Sequence, residues 1–503
     1  MTLPISRRRL LSAALAGGCA AALTPAKPHT AVAGHSGGDP VRLTVRRRTI
    51  EVNGKAASVF GIRRPDGTAG LVLDPGQRFM VELANRSGED TVIHWHGQTP
   101  PYVQDGVADK NRPAVRNGAS ASYDFVPRPG THWMHSHLGL QEQSLMAAPL
   151  VVRSEEDRRA DEQDVVVLLH DFSFRDPAEL LASLVGPNGQ AGSGHGGHGT
   201  AAGTMDHAMM GHGQSHDMGA PAMAAGNGGG MAMDLNDVEY DAFLANDRTL
   251  ADPQVLRVER GGRVRLRVIN GATTTAFHLD LGRLTGQVVA ADGNPVQPVM
   301  GSRFGISMGQ RLDIRLTLPA EGGAFPILAL REGGPQRTGI ILATPGTAVA
   351  KLAQQGDEAT GALDLSLERR LVALAPLVPR QADVVRRVRL TGGMAPYVWS
   401  LDDRTFGQHR PVSAQAGQRV ELTFENASMM AHPMHLHGHH FQVVAIDGRP
   451  VAGAVRDTVL VPVMGSVTVA FDADNPGRWP LHCHNLLHMA TGMMTELVYD
   501  GYA

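Results

Sequence analysis

Apolar and polar residues alternate along this chain in short runs, and Gly, Pro and Asp separate the runs. Because neighbouring side chains on a strand point to opposite faces, such runs predict β-strands with one buried face. No long segment follows the helical period. The runs that predict strands are 42–45, 59–62, 78–83, 122–126, 149–152, 165–169, 419–424, 441–446 and 466–471.

The strand-and-turn pattern recurs in three units of comparable length, which predicts an all-β fold of sandwiches in series. We expect domains at residues 41–155, 163–345 and 385–503. Residues 346–384 are interpreted as a connection between the second and third domains.

The first 33 residues have the pattern of an export signal. Arg7 and Arg8 form a twin-arginine pair, an apolar run follows, and Ala31-Val32-Ala33 is a small-x-small cleavage site. The apolar run is too short to span a bilayer. We therefore expect export to the periplasm by the twin-arginine machinery, with no stable membrane span in the mature protein.

Composition, net charge and cysteine content indicate which classes of partner the protein binds. Of 503 residues, 42% are hydrophobic and 19% charged, and the formal net charge is −3, so nucleic acid is not an expected partner. Cleavage after Ala33 would remove Cys19 and leave Cys483 as the single thiol. A lone thiol in an oxidising compartment needs protection, and the neighbours His482 and His484 suggest that a metal provides it.

A segment at 192–233 departs from the strand pattern, because Gly and Ala dominate it and little in it could build a core. Thioethers select Cu(I) and imidazoles bind either copper state, so this His/Met-rich insert favours capture of extra copper. A tolerated loop expansion is the alternative. Its five His and seven Met are His195, His198, His207, His212, His216, Met205, Met209, Met210, Met218, Met223, Met231 and Met233.

Four His-x-His pairs carry the strongest chemical signal. On a strand, residues i and i+2 face the same side, so each pair offers two adjacent imidazoles. Eight converging imidazoles could hold three coppers, and packing alone does not explain four such pairs. The pairs are His94/His96, His135/His137, His435/His437 and His482/His484.

The same alternation sends Cys483 to the face opposite His482 and His484. A thiolate with two imidazoles and a weak axial thioether is the blue-copper ligand set. His432 lies an odd offset of three before His435, which places it on the Cys483 side, and His488 and Met493 follow Cys483 closely. The chain therefore predicts two metal sites back to back.

These motifs resemble those of the three-domain multicopper oxidases, in particular bacterial cuprous oxidases, copper-resistance proteins and laccase-like enzymes. The stretch 236–250 is similar to the copper-resistance branch. The resemblance implies three cupredoxin-like Greek-key β-sandwiches in series. The motifs are His94-Trp95-His96-Gly97, His135-Ser136-His137, His432-Pro433-Met434-His435-Leu436-His437-Gly438-His439 and His482-Cys483-His484-Asn485-Leu486-Leu487-His488 with Met493.

The resemblance also implies four copper ions and their ligands. His432, Cys483, His488 and axial Met493 would bind the type 1 copper, and Met494 is the alternative axial residue. His94 and His435 would bind the type 2 copper. The two type 3 coppers would take His96, His135, His137, His437, His482 and His484. The middle domain would bind none of these coppers and would act as a spacer or substrate-side wall.

By the same resemblance, the protein would take single electrons from a donor through Cys483 and reduce O2 to water. Asp105, nine residues after His96, matches the family's carboxylate near the type 2 site and is the expected proton relay, although an ordinary turn Asp is the alternative. A second acid often follows the last type 1 histidine, but Met489 holds that position.

The insert favours Cu(I) as the donor, in copper tolerance. A general laccase acting on small reducing phenols and a Mn(II) oxidase are the alternatives, and a periplasmic copper-sequestering protein is the non-enzyme alternative. Met429 and Met430 either line a Cu(I) entry beside His432 or simply pack. His132, His170, His278, His409, His439 and His440 are interpreted as structural or hydrogen-bonded histidines.

Overall fold

A computed structural model of the chain describes residues 39–109, 112–186 and 235–502. The leader at 1–33 and the insert at 192–233 lie outside these residues, and both stay predictions. Within the described ranges, no helix is long and apolar enough to cross a membrane. The described residues from Pro40 onward form one compact unit.

The first third of the chain folds into two four-stranded sheets, ordered β2-β1-β4-β6 and β3-β8-β7-β5. Burial alternates strictly along β4, as a strand with one face on a core requires. The strands are β1 (Val41–Val52), β2 (Lys55–Arg63), β3 (Leu71–Leu73), β4 (Phe79–Arg86), β5 (Ile93–His94), β6 (Ser120–Phe125), β7 (Gly130–Ser136) and β8 (Ala147–Val152).

The middle of the chain forms a six-stranded sheet, β10-β9-β12-β17-β14-β15, and a five-stranded sheet, β11-β19-β18-β13-β16. The strands are β9 (Gln163–Phe172), β10 (Ala242–Ala245), β11 (Val255–Arg257), β12 (Arg263–Asn270), β13 (Phe277–Asp280), β14 (Gly286–Ala291), β15 (Asn294–Gly301), β16 (Arg303–Ile306), β17 (Arg311–Thr317), β18 (Ala324–Arg331) and β19 (Arg337–Ala343).

The last third forms a seven-stranded sheet, β21-β20-β23-β29-β25-β26 with β27 beside β25, and a five-stranded sheet, β22-β31-β30-β24-β28. The strands are β20 (Val384–Met394), β21 (Tyr397–Leu401), β22 (Val412–Ala414), β23 (Arg419–Asn426), β24 (His432–Leu436), β25 (Phe441–Ile446), β26 (Arg449–Pro450), β27 (Val455–Arg456), β28 (Thr458–Val461), β29 (Ser466–Asp472), β30 (Arg478–Cys483) and β31 (Met494–Tyr499).

Helices are few and short in the described ranges, and the predicted all-β fold is confirmed. The predicted domain boundaries stay predictions. Each pair of sheets encloses its own apolar cluster, as a sandwich must to bury the inner faces of both sheets. The α-helices are α1 (Glu155–Arg159), α2 (Pro177–Val185) and α3 (Leu486–Ala490), and the 3-10 helices are Tyr102–Gln104, Gln141–Ser144, Glu368–Arg370 and Phe406–Gln408.

Candidate metal centres

Strands β24 and β30 position both candidate sites, because they pair antiparallel with His435 opposite His482 and Met434 opposite Cys483. Strand β30 ends at Cys483, and the side chain of Asn485 then caps α3 by accepting the backbone N–H groups of Leu487 and His488. This turn brings His488 back toward the thiol.

Cys483 and two histidines form the first candidate centre. The Cys483 sulfur lies 3.7 Å from Nδ1 of both His432 and His488, and those two nitrogens are 3.1 Å apart. All three side chains are fully buried. Met493 is buried too, and its backbone carbonyl accepts the Cys483 N–H at 3.0 Å. One thiol and two imidazoles therefore converge beside a methionine.

The Nε2 atoms of His432 and His488 contact Ser428 and Asp237, two residues that no sequence motif indicated. His432 Nε2 lies 2.7 Å from the Ser428 hydroxyl, and His488 Nε2 lies 3.1 Å from Asp237 Oδ1. Asp237 also accepts the Tyr397 hydroxyl at 2.7 Å and the Asn485 amide at 2.6 Å. These contacts leave each Nδ1 directed at the thiol, which is the arrangement that outer hydrogen bonds impose on metal-binding histidines.

The directions in which the pKa values of Asp237 and Cys483 are shifted agree with that arrangement. Burial acts to raise the pKa of Asp237, but His488 and the hydrogen bonds outweigh it and lower that pKa. Burial raises the pKa of the Cys483 thiol, so a thiolate at this position requires a cation beside it. A metal cation bound by the Nδ1 atoms of His432 and His488 would supply that charge.

The second candidate centre contains the eight histidines of the four pairs, each at most 5% exposed. Its two halves come from the first and last pairs of sheets, and they stack across the boundary. His94 and His437 have ring centroids 3.8 Å apart, as have His96 and His435. His482 Nε2 lies 3.0 Å from His437 Nε2 and 3.2 Å from His137 Nε2.

Several nitrogens of this centre lack any partner in the described structure. They are Nε2 of His94, Nε2 of His435 and both ring nitrogens of His484. Burial and neighbouring histidines lower the pKa values of His437, His482 and His484 well below the usual range, so these rings are neutral and available as ligands. Buried unpaired nitrogens are costly, and bound metal ions would satisfy them.

Asp105 joins the two halves of the histidine cluster. Its Oδ2 lies 2.9 Å from His437 Nδ1, and its Oδ1 lies 3.2 Å from His94 Nδ1 without the alignment of a hydrogen bond. The next residue, Gly106, adopts a φ of 80°, and a Cβ there would lie 1.8 Å from the Ile93 carbonyl oxygen. Only glycine therefore lets the chain carry Asp105 against β5.

Two further carboxylates contact cluster histidines, and neither was among the residues that the sequence motifs indicated. Asp457 Oδ1 lies 3.0 Å from His96 Nε2, and Glu142 Oε2 lies 2.9 Å from His135 Nδ1. Burial raises the pKa of Glu142 well above its usual range. Spacing gave no signal for either residue, because each lies outside the His-x-His motifs.

Two methionines and six histidines that the sequence also indicated lie outside the two candidate centres. Met429 is 41% exposed whereas Met430 is buried in the core, so the two have different environments. Each of the other histidines has a hydrogen-bonding partner: His132 with Pro129 O, His170 with Gly271 O, His278 with Gly361 O, His409 with Phe406 O, His439 with Tyr499 and His440 with Gly97 O.

Known proteins and family models match this chain over most of its length. Three family models, each described as multicopper oxidase, match residues 44–157, 198–356 and 379–501. Multicopper oxidase MmcO of Mycobacterium tuberculosis is 31% identical, over 98% of this chain and 96% of its own length. A copper resistance protein A homolog of Pseudomonas syringae pv. tomato is 24% identical, over 90% of this chain and 91% of that protein.

The fold of this chain is also found in a solved structure. The crystal structure of Fet3p, described as a multicopper oxidase that functions in iron import, aligns with a TM-score of 0.73 at 17% identity. The alignment covers 91% of this chain and 90% of that one. The predicted cupredoxin-like sandwiches are therefore confirmed.

Proposed function

Because the chain belongs to the multicopper oxidase family, we propose that this oxidoreductase couples one-electron oxidation of a donor to the reduction of O2 to two waters. The observation that carries the proposal is the pair of adjacent buried centres, one with a thiol and one with eight imidazoles. Cys483 belongs to the first centre, and its chain neighbours His482 and His484 belong to the second.

We assign about four coppers to these residues, in the ligand types that copper prefers. Bound copper supplies the redox chemistry, namely one-electron oxidation of the donor and four-electron reduction of O2. The type 1 site would use His432, Cys483, His488 and Met493, the type 2 site His94 and His435, and the type 3 pair His96, His135, His137, His437, His482 and His484. The unpartnered nitrogens of His94, His435 and His484 support this assignment.

The chain itself connects the two centres. Cys483 is joined by one peptide bond to His482 and by another to His484, which gives a short covalent route between the thiol and the imidazoles. Full burial of all three residues excludes water from that route.

Reduction of O2 to water consumes protons as well as electrons, and we assign Asp105 as a proton relay. Its Oδ2 contacts His437 Nδ1, and its Oδ1 has no hydrogen-bond partner among the described residues. Oδ1 is thus available to a water molecule in the cluster. Asp105→Asn should lower kcat by about 10²- to 10⁴-fold. Because Asp105 also contacts His437, the comparison is made on variant and unmodified protein with equal copper content.

Cu(I) is the donor that the chain favours. The His/Met-rich insert at 192–233 supports it, as do the relatives named copper resistance protein A. Oxidation of Cu(I) to Cu(II) would be the contribution of this protein to copper tolerance. A general laccase and a Mn(II) oxidase are the competing assignments.

Deleting the insert tests this choice of donor. Removal of residues 192–233 should lower kcat/KM for Cu(I) by about tenfold or more and leave turnover of a small phenol unchanged. The control keeps the length of the insert and replaces its His and Met by Ser, and it should behave like the deletion. Equal loss on both donors, or no loss, would exclude Cu(I) capture by the insert.

A broader measurement tests the oxidase assignment itself. Copper-loaded protein should contain about four coppers per chain, show an intense blue thiolate-to-copper absorption and consume O2 with a donor. Loaded protein without turnover on Cu(I), Mn(II) or a phenol would instead indicate copper sequestration.

We also propose periplasmic localisation by the twin-arginine route, which rests on the leader at 1–33. Replacing Arg7 and Arg8 together by Lys should retain the protein in the cytoplasmic fraction. Export of that variant at the normal level would contradict this route.

A further inference from the structure

Arg311 is a fully buried arginine at the start of β17, in the middle pair of sheets. None of the twelve proposed copper ligands comes from that part of the chain. Its guanidinium nevertheless reaches the boundary at which the two halves of the histidine cluster meet. A buried arginine requires several acceptors, and the identity of those acceptors indicates what it does.

The guanidinium holds one residue from each neighbouring part of the chain. Nη1 and Nη2 donate to the two carboxylate oxygens of Asp457 at 2.7 and 2.5 Å, a planar two-point contact. Nε donates to the Thr131 carbonyl at 3.2 Å. Thr131 belongs to β7, the strand that carries His135, whereas Asp457 lies between β27 and β28 in the last third.

Asp457 extends this contact to the histidines. Its Oδ1 lies 3.0 Å from His96 Nε2 and 3.5 Å from His435 Nδ1. Those two rings come from opposite halves of the cluster, and they stack with centroids 3.8 Å apart at 14°. Fixing Asp457 therefore fixes the spacing of one imidazole from each half.

Directly after the proposed ligand His96, a glycine leaves room for the contact between Arg311 and Asp457. Gly97 follows His96 and has a φ of 86°. A Cβ at Gly97 would lie 2.3 Å from Arg311 Nη2 and 3.0 Å from Asp457 Oδ2. Any larger residue would push the arginine away from the carboxylate, so the local backbone is adapted to the approach of Arg311.

We propose that Arg311 is a positioning residue for the three-copper centre, acting through Asp457 on His96 and His435. In this role the middle sandwich clamps the boundary that the first and last sandwiches share. The inference rests on the proposed function, because it assumes that the eight histidines bind copper. It predicts a selective defect, since the type 1 residues His432, Cys483 and His488 all lie in the last third of the chain.

The test is Arg311→Lys, which keeps the positive charge and removes the two-point contact. Loss of such an outer contact should weaken copper binding at the cluster by about 10- to 100-fold. After dialysis against a chelator, copper should fall from about four per chain to about one. The blue absorption should persist, while the type 2 paramagnetic signal and O2 consumption should disappear.

Arg267→Lys is the matched control. Arg267 is also fully buried on a neighbouring middle strand, and it also reaches Thr131, through the hydroxyl at 3.2 Å. Its carboxylate partners are Asp157, Asp164 and Asp313, and none of them contacts a cluster histidine in the described structure. Arg267→Lys should therefore keep all the copper even if it lowers the unfolding temperature.

Two results would overturn the proposal. One is an Arg311→Lys protein with full copper content and an unchanged type 2 signal, and the other is equal copper loss in the two lysine variants. Should Arg311→Lys not accumulate as folded protein, Asp457→Asn carries the test, because it keeps the side-chain volume and is expected to give the same selective loss. Failure of the proposed function is distinct, since unmodified protein would then lack both the blue absorption and the cluster copper.

Discussion

Asp237 allows a quantitative prediction, because its carboxylate contacts Nε2 of His488, one of the two proposed type 1 histidines. Its Oδ1 accepts hydrogen bonds from His488 and Tyr397, and its Oδ2 accepts one from Asn485. The side chain is fully buried, so water cannot replace a lost bond. The perturbation is Asp237→Asn, which keeps the shape, removes the charge and turns one oxygen into an amide donor.

The expected loss of unfolding free energy in Asp237→Asn follows from these three hydrogen bonds. With the amide oxygen at the Oδ1 position, the new NH2 faces the Asn485 NH2, which leaves a buried donor unpaired at about 1–3 kcal/mol. The bonds from His488 and Tyr397 persist but lose the charged acceptor, at about 1 kcal/mol each. Easier burial of the neutral amide offsets part of this sum, so we expect a net loss of about 2–4 kcal/mol in unfolding free energy.

The assay follows the blue absorption while a chelator competes for copper. Because outer contacts orient metal-binding histidines, Asp237→Asn should weaken type 1 copper binding by about 10- to 100-fold and leave cluster copper in place. Tyr397→Phe removes only one of the three bonds and should give a smaller effect in the same direction. Unchanged chelator resistance in Asp237→Asn would refute the claim that this carboxylate orients His488.

Further predictions concern the stability of the fold. Burial raises the pKa of Glu332 to about 7, so the folded protein binds more protons than the unfolded one between about pH 4.5 and 7, and stability falls by about 3 kcal/mol as pH rises through that window. Glu332→Gln should abolish this component in denaturant titrations at pH 5 and 8, and equal pH dependence of both proteins would contradict it. Gly438→Ala should destabilise by more than about 3 kcal/mol in the same titrations, because its Cβ would lie 2.4 Å from Trp479 at a φ of 65°. Gly448→Ala, at a φ of 70° with open space around it, should cost only about 1–2 kcal/mol.

Local periodicity predicted many of the strands, and it predicted that Cys483 and its two histidine neighbours lie on opposite faces of one strand. The run 441–446 coincides with β25, and the run 466–471 lies within β29. Alternation around Cys483 placed it on the face opposite its two histidine neighbours, and the structure has that arrangement. The run 122–126 ends one residue too late, because Val126 is 73% exposed just beyond β6.

The supporting residues could not be predicted, because they act across long stretches of chain. Asp237 is separated from His488 by 251 positions, and Arg311 from Asp457 by 146. No local period links such pairs, and only the packing of sandwiches against one another brings them together. The expectation that the middle unit is a spacer or substrate-side wall stays a prediction. That unit also contributes Asp237 and Arg311, whose side chains contact His488 and Asp457.

The pairing of β24 with β30 has a consequence for how this chain can vary. Sliding one strand past the other by a single residue would exchange inward and outward side chains, and both metal-binding faces would be lost together. Insertions are therefore tolerable only in the loops between these strands. Even a two-residue shift, which keeps the faces, would separate His435 from His482 and Met434 from Cys483.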